Sequence, residues 1–221
     1  MENKILKFIR QRILSGIIPE GDVGIKLLGH RKYVGGKWNE IGKLQFDFMK
    51  SQGVKPSDIV IDVGCGSFRG GIHFIKYLDK GKYLGIDKEQ QIVDLGLAKE
   101  IGVELISKKS PEVVVSDSFE FNKLTKKPAY GISVSLFTHL SKEHVTTCLK
   151  NLKDHVKSDH SFYATFFIGD SKRHREKSHS LAHIEFSIEE INEMASATGW
   201  EVDYIGDWGH PRDQQMIRFF T

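Results

Sequence analysis

Cysteine is scarce in this chain of 221 residues, with only Cys65 in a glycine-rich stretch and Cys148 in a helical one. Two isolated thiols make neither a disulfide framework nor a tetrahedral zinc site, and we expect a reducing, cytoplasmic compartment and no bound metal. Long apolar runs are missing as well, so no membrane span is expected. The first residues, MENKILKFIRQRILSGIIP, are broken by Lys4, Lys7, Arg10 and Arg12, unlike a signal peptide. Charge of one sign is also lacking. The formal net charge is +3, and Lys and Arg are interspersed with Asp and Glu, which gives no tail or stripe for nucleic acid. Internal repeats and low-complexity tracts are absent. What is there, 39% hydrophobic and 28% charged residues, suits one globular domain with a sizeable core.

Ile5, Ile9 and Ile13 fall on one face of a short N-terminal amphipathic helix, a face expected to dock on the domain or on a second copy in a homodimer. The segment EGDVGIKLLGHRKYVGGKW follows, with five glycines that interrupt any period, and reads as a structured loop or lid. These residues, 1–38, precede a domain over 39–221. From there the pattern alternates. Helices are expected near 39–52, 69–79, 89–101, 141–154 and 187–199, and strands near 58–63, 82–86, 112–116, 130–136 and 160–168, with EVDYIGDW and QQMIRFF closing the chain. Strands separated by helices imply a parallel sheet covered on both faces, and the short link GHPRD makes the last pair an antiparallel hairpin.

The stretch IDVGCGSFRGG runs from a buried strand into a glycine loop that opens a helix. Gly64, Gly66 and Gly70 give G-x-G-x-x-x-G, with Arg69 where a dinucleotide fingerprint has its third glycine, and no Gly-Lys-Ser/Thr follows as in a P-loop. Asp62 at the strand end would repel a pyrophosphate but attract an ammonium or sulfonium. Asp87, closing YLGID about 20 residues on, is placed to accept both ribose hydroxyls, with Lys88 beside it. The pair describes an adenosine ligand that carries an amino acid and no phosphate.

These residues resemble the class I S-adenosylmethionine-dependent methyltransferases. VIDVGCGSFRGG is similar to the first motif of that class, YLGID to the second, VVVSDSFEF to the third and GISVSLFTHL to the fourth, over a region from about Lys37 to the C-terminus. The resemblance implies an α/β Rossmann-like sheet of seven strands in the order 3-2-1-4-5-7-6, strand seven antiparallel, with S-adenosylmethionine as cofactor. It implies that Gly64, Cys65 and Gly66 line the methionine part, Asp62 faces the amino group and Asp87 holds the ribose. It also implies that Asp117, Ser118 and Phe119 meet adenine, and that Ser135 and Leu136 offer backbone carbonyls to the methionine amine.

Methyl transfer needs an aligned nucleophile and, for a hydroxyl, a base. In a parallel sheet the crevice lies at the carboxyl ends of the strands. There stand His139 in SLFTHL, and His210 and Arg212 in GHPRDQQ, as candidates for base or substrate ligand; a loop-holding histidine and a solvated hairpin arginine are the bland alternatives. Arg173, His174 and Arg175 concentrate charge after strand five, where they suit an anionic acceptor as well as a solvated loop. Tyr33 and Trp38 would close over cofactor and acceptor, or pack the N-terminal segment on the sheet. The expected substrate is a small molecule, methylated on oxygen of a sugar, phosphorylated or nucleotide-linked compound. An N-, protein or RNA methyltransferase and a non-catalytic binder are the alternatives.

Overall fold

The computed structural model describes residues 21–169, 178 and 182–221. The stretch expected to form an N-terminal helix with a dimer face, and Arg173, His174 and Arg175, lie outside the described residues. Two short helices, α1 (Asp22–Leu28) and α2 (His30–Tyr33), stand where the glycine-rich loop was expected, and α3 (Trp38–Ser51) follows. Then come β1 (Val60–Val63), α4 (Gly71–Tyr77), β2 (Tyr83–Asp87) and α5 (Gln90–Gly96). A π-helical turn, Leu97–Ile101, leads from α5 into α6 (Gly102–Lys109), a helix beyond the one expected to end near 101. The second half holds β3 (Glu112–Val115), β4 (Tyr130–Ser133), α7 (Lys142–His155), β5 (Ser161–Ile168), β6 (Glu185–Phe186), α8 (Ile188–Thr198), β7 (Glu201–Asp207) and β8 (Gln215–Phe220).

The sheet runs β3-β2-β1-β4-β5-β8-β7, and β6 pairs with β5 outside that path. With the two-residue β6 set aside, the order is the one expected, and β8 is antiparallel to both neighbours. The central strands are parallel and buried on both faces. β1 is buried at all four positions, so its sequence shows no polar alternation. Ile61 and Val63 join a core with Leu149, Leu152 and Met194 of α7 and α8, whereas Val60 joins Met49, Phe74 and Val93 of α3, α4 and α5 on the other face. Ser141 caps α7, and Ser187 with Glu190 forms a capping box on α8, which fixes where the two helices begin. β4 ends three residues earlier than its apolar pattern suggested, because Ser135 takes a left-handed backbone with φ of 64° and turns the chain out of the sheet. Among the described residues no helix is long and apolar enough to cross a membrane.

Candidate active site

β1 delivers Asp62 to the floor of the glycine loop, where its Oδ2 accepts the Tyr83 hydroxyl at 3.0 Å. Burial, the largest influence, pushes the Asp62 carboxyl up to about 7, against the pull of that hydrogen bond. Asp87, at the end of β2, takes the Gly66 N–H on Oδ2 at 2.8 Å and the Glu89 N–H on Oδ1 at 3.0 Å. One carboxylate thus ties the glycine loop to the start of α5. Burial raises its pKa and the two backbone donors oppose the rise. A carboxylate has about four acceptor positions, so two remain for ligand hydroxyls.

The loop is covered from two sides. Leu136 packs on Gly64, where an added Cβ would stand 3.0 Å from Leu136 Cδ2, and Val34 packs on Gly66 at the same distance from Cγ1. The β4 loop and the N-terminal segment therefore both reach the glycine loop. Cys65, expected beside the methionine part, turns its thiol into the core against Gly85 and gives its N–H to the Ile86 carbonyl. Burial and the carboxylates of Asp87 and Asp62 raise the thiol pKa well above its usual value. Lys88 is exposed and lies 3.8 Å from Glu89.

After β3, Asp117 and Ser118 are exposed and Phe119 is half-buried, stacked on Phe121 at 6.4 Å. The turn is built by a residue the sequence did not single out. Ser116, buried, accepts N–H bonds from Ser118 and Glu120 on its hydroxyl oxygen, and Asn151 of α7 donates to the carbonyls of Ser118 and Phe119. A serine two and four residues ahead of those amides is the local signature that could have flagged it.

After β4, Ser135 donates its hydroxyl to Gln214 Oε1 at 3.0 Å and its N–H to Thr165 at 2.8 Å, and Thr165 donates to the same Gln214 oxygen at 2.9 Å. The buried Gln214 so joins the loop after β4, the strand β5 and the closing hairpin. The Leu136 carbonyl accepts the His139 N–H at 2.9 Å, which closes a turn. The His139 ring bonds the Ala182 carbonyl through Nδ1. A carbonyl only accepts, so Nδ1 carries the proton and the neutral ring has its lone pair on Nε2.

His210 has the opposite tautomer. Its Nδ1 accepts the Arg212 N–H at 3.4 Å, so in the neutral ring Nε2 is the donor. Burial first, then Arg69, Arg212 and Lys37, push its pKa down to about 4. It is a weak base with its basic nitrogen engaged, which makes it a hydrogen-bond donor in place of the base its position suggested. Arg69 and Arg212, expected on cofactor and substrate, both grip the N-terminal segment. Arg69 Nη1 donates to the Val34 and Gly36 carbonyls at 3.0 and 3.3 Å, and Arg212 Nη2 to the Gly35 carbonyl. Tyr33 accepts the Gly21 N–H at 2.9 Å, and Trp38 packs edge-on against His30 beneath the Arg31 guanidinium, so both rings serve the N-terminal segment itself. Glu100 anchors that segment by a bidentate pair with Arg31 at 2.7 Å and a bond to His30 at 2.6 Å.

No protein-family model matches the chain. Solved structures do. Magnesium protoporphyrin IX methyltransferase (ChlM) from Synechocystis PCC 6803, with SAM bound, is 15% identical with a TM-score of 0.60, over 82% of this chain and 80% of that one. The glycopeptide N-methyltransferase MtfA is 10% identical with a TM-score of 0.62, over 81% of this chain and 90% of that one. The CcbJ methyltransferase from Streptomyces caelestis is 12% identical with a TM-score of 0.60, over 81% and 89%. The chain has the fold of the S-adenosylmethionine-dependent methyltransferases. In this methyltransferase fold the glycine loop, Asp87, the Ser116 turn and the β4 loop all gather at the carboxyl ends of parallel strands, where ligands of open α/β sheets bind.

Proposed function

We propose that the chain is an S-adenosylmethionine-dependent methyltransferase acting on a small molecule. The observation that carries this reading is the carboxylate pair. Asp62 lies buried below the loop with a pKa near neutrality, and Asp87 lies beside the loop with acceptor positions to spare. A buried carboxylate of this kind calls for a cation, and an ammonium or sulfonium meets the need where a pyrophosphate would not. The residues therefore fit the cofactor, with Asp87 holding the ribose, Asp62 balancing the cationic end, and the Ser116 turn with Phe119 receiving the adenine. S-adenosylmethionine, when bound, supplies an electrophilic methyl.

The protein then has to orient an acceptor and remove its proton. His139 suits the second task, because its tautomer is set by the Ala182 carbonyl and its Nε2 holds the lone pair. The Ser135, Thr165 and Gln214 network holds the loop that presents it. Oxygen of a sugar, phosphorylated or nucleotide-linked compound remains the acceptor we favour. The names of the structural neighbours, a tetrapyrrole and a glycopeptide methyltransferase among them, show that this fold serves unlike acceptors. Incubation with S-adenosylmethionine and a panel of nucleotide sugars and phosphorylated metabolites, read by mass spectrometry, tests the reading. A cofactor-dependent gain of one methylene on a panel member supports it. Methylation confined to RNA or protein added in parallel would overturn the small-molecule assignment.

A further inference from the structure

Two arginines from opposite ends of the fold converge on one glycine. A Cβ at Gly35 would stand 3.2 Å from Arg212 Nη1 and 3.6 Å from Arg69 Nη1, and Gly35 has a φ of 94° besides. Arg69 is 7% exposed, yet no carboxylate pairs with either guanidinium among the described residues. Glu40, the acid that acts on Arg212, is bonded to Lys37, and Asp62, which acts on Arg69, is bonded to Tyr83. Among the described residues only backbone carbonyls accept hydrogen bonds from the two guanidiniums. Arg69 Nη1 and Arg212 Nη2 are so used, and the Nε of each, with the remaining terminal nitrogen, has no hydrogen-bond partner among the described residues.

A second, independent observation stands beside them. His210 is 3% exposed, and its Nε2 has no hydrogen-bond partner among the described residues. The ring is stacked on Trp208 at 5.5 Å and 15°, and is fixed by the Arg212 N–H on Nδ1, so the orphan is an N–H donor held in a set direction. The charges that act on it most are Arg69, Arg212 and Lys37, with Glu40 opposing them. A buried cation without counter-charge, Arg69, and a buried donor without acceptor, His210, are each unfavourable, and the exposed Arg212 adds a second positive charge beside them. One ligand would satisfy all three, and it must be an acceptor-rich anion.

We propose that Arg69, Arg212 and His210 form an oxyanion subsite that receives a carboxylate or phosphate group of the methyl acceptor. Planar guanidiniums meet such oxygens two at a time, and the neutral His210 adds a donor without adding charge. The subsite abuts the glycine loop through Arg69 and Val34, so an anion held there sets the rest of the acceptor beside the cofactor. This inference rests on the methyltransferase reading. The same oxygens could come from the cofactor's own carboxylate, and the experiment separates the two sources.

The probe is inorganic phosphate, titrated by NMR into protein loaded with S-adenosylhomocysteine, with the His210 Nε2–H resonance as the readout. We expect phosphate to shift and protect that resonance. Arg212→Gln should weaken phosphate at least tenfold and Arg212→Lys less, with S-adenosylhomocysteine affinity unchanged in both. Phosphate binding equally to wild type and Arg212→Gln, or not at all, would overturn the subsite. If Arg212→Gln instead weakens S-adenosylhomocysteine but not methylthioadenosine, which lacks the carboxylate, the subsite belongs to the cofactor and the acceptor assignment fails. If wild type does not bind S-adenosylhomocysteine, the methyltransferase reading fails, while phosphate titrated into the unloaded protein still reports on the subsite.

Discussion

Tyr83 donates its hydroxyl to the Asp62 carboxylate at 3.0 Å, a bond buried beneath the glycine loop between the first residue of β2 and the third of β1. The bond favours the ionised carboxyl, and burial, the stronger influence, favours the protonated one; the balance falls at about 7. Asp62 is therefore mostly protonated below that pH and ionised above it. A cationic ligand prefers the ionised form, so S-adenosylmethionine affinity should rise between pH 6 and 8, with proton release on binding. Calorimetry in buffers of different ionisation enthalpy measures both. Tyr83→Phe removes the bond that favours ionisation and should move the midpoint to higher pH. An affinity independent of pH over that window would exclude Asp62 from the cofactor's cationic end.

Gly42 of α3 lies on the carbonyl of Arg69, and a Cβ there would overlap that oxygen and stand 3.1 Å from the carbonyl carbon. The obstacle is backbone, which cannot swing away as a side chain can. Gly42→Ala should destabilise the protein by about 1–3 kcal/mol even though alanine favours a helix by about 1 kcal/mol. Urea unfolding midpoints decide it, and a stabilised variant would mean that α3 does not bear on the glycine loop as described.

The sequence made legible what is local. Asp62, the glycines and Asp87 sit at strand ends whose apolar runs mark β1 and β2, and GHPRD marks the closing hairpin. α6 was hidden because the helical reading stopped near 101, before Gly102, whose φ of 76° breaks the helix, and the chain enters α6 through a π-helical turn. The two-residue β6 is too short for any period. The roles of Arg69 and Arg212 could not be read at all. Each is aimed by a carbonyl of residues 34–36, contacts between residues 35 apart for Arg69 and 177 apart for Arg212 that leave no trace in spacing. Gln214 joins three elements for the same reason unseen.

His139 offers a test of base against scaffold. His139→Asn keeps a donor near the Nδ1 position for the Ala182 carbonyl but removes the Nε2 lone pair. With any acceptor that turns over, kcat should fall about 10²–10⁴-fold while the melting temperature and cofactor affinity stay near wild type. A small loss of kcat with a marked loss of stability would make His139 a holder of the loop.

The central claim is that the glycine loop with Asp62 and Asp87 receives an adenosine cofactor bearing a cationic amino acid. Titration calorimetry with S-adenosylmethionine, S-adenosylhomocysteine and NAD tests it most directly, on wild type and Asp87→Ala. The account predicts that the first two bind and NAD does not, and that Asp87→Ala weakens them by about 1–3 kcal/mol through loss of charged hydrogen bonds to the ribose. Preferential binding of NAD, or an Asp87→Ala protein with wild-type affinity, would contradict it.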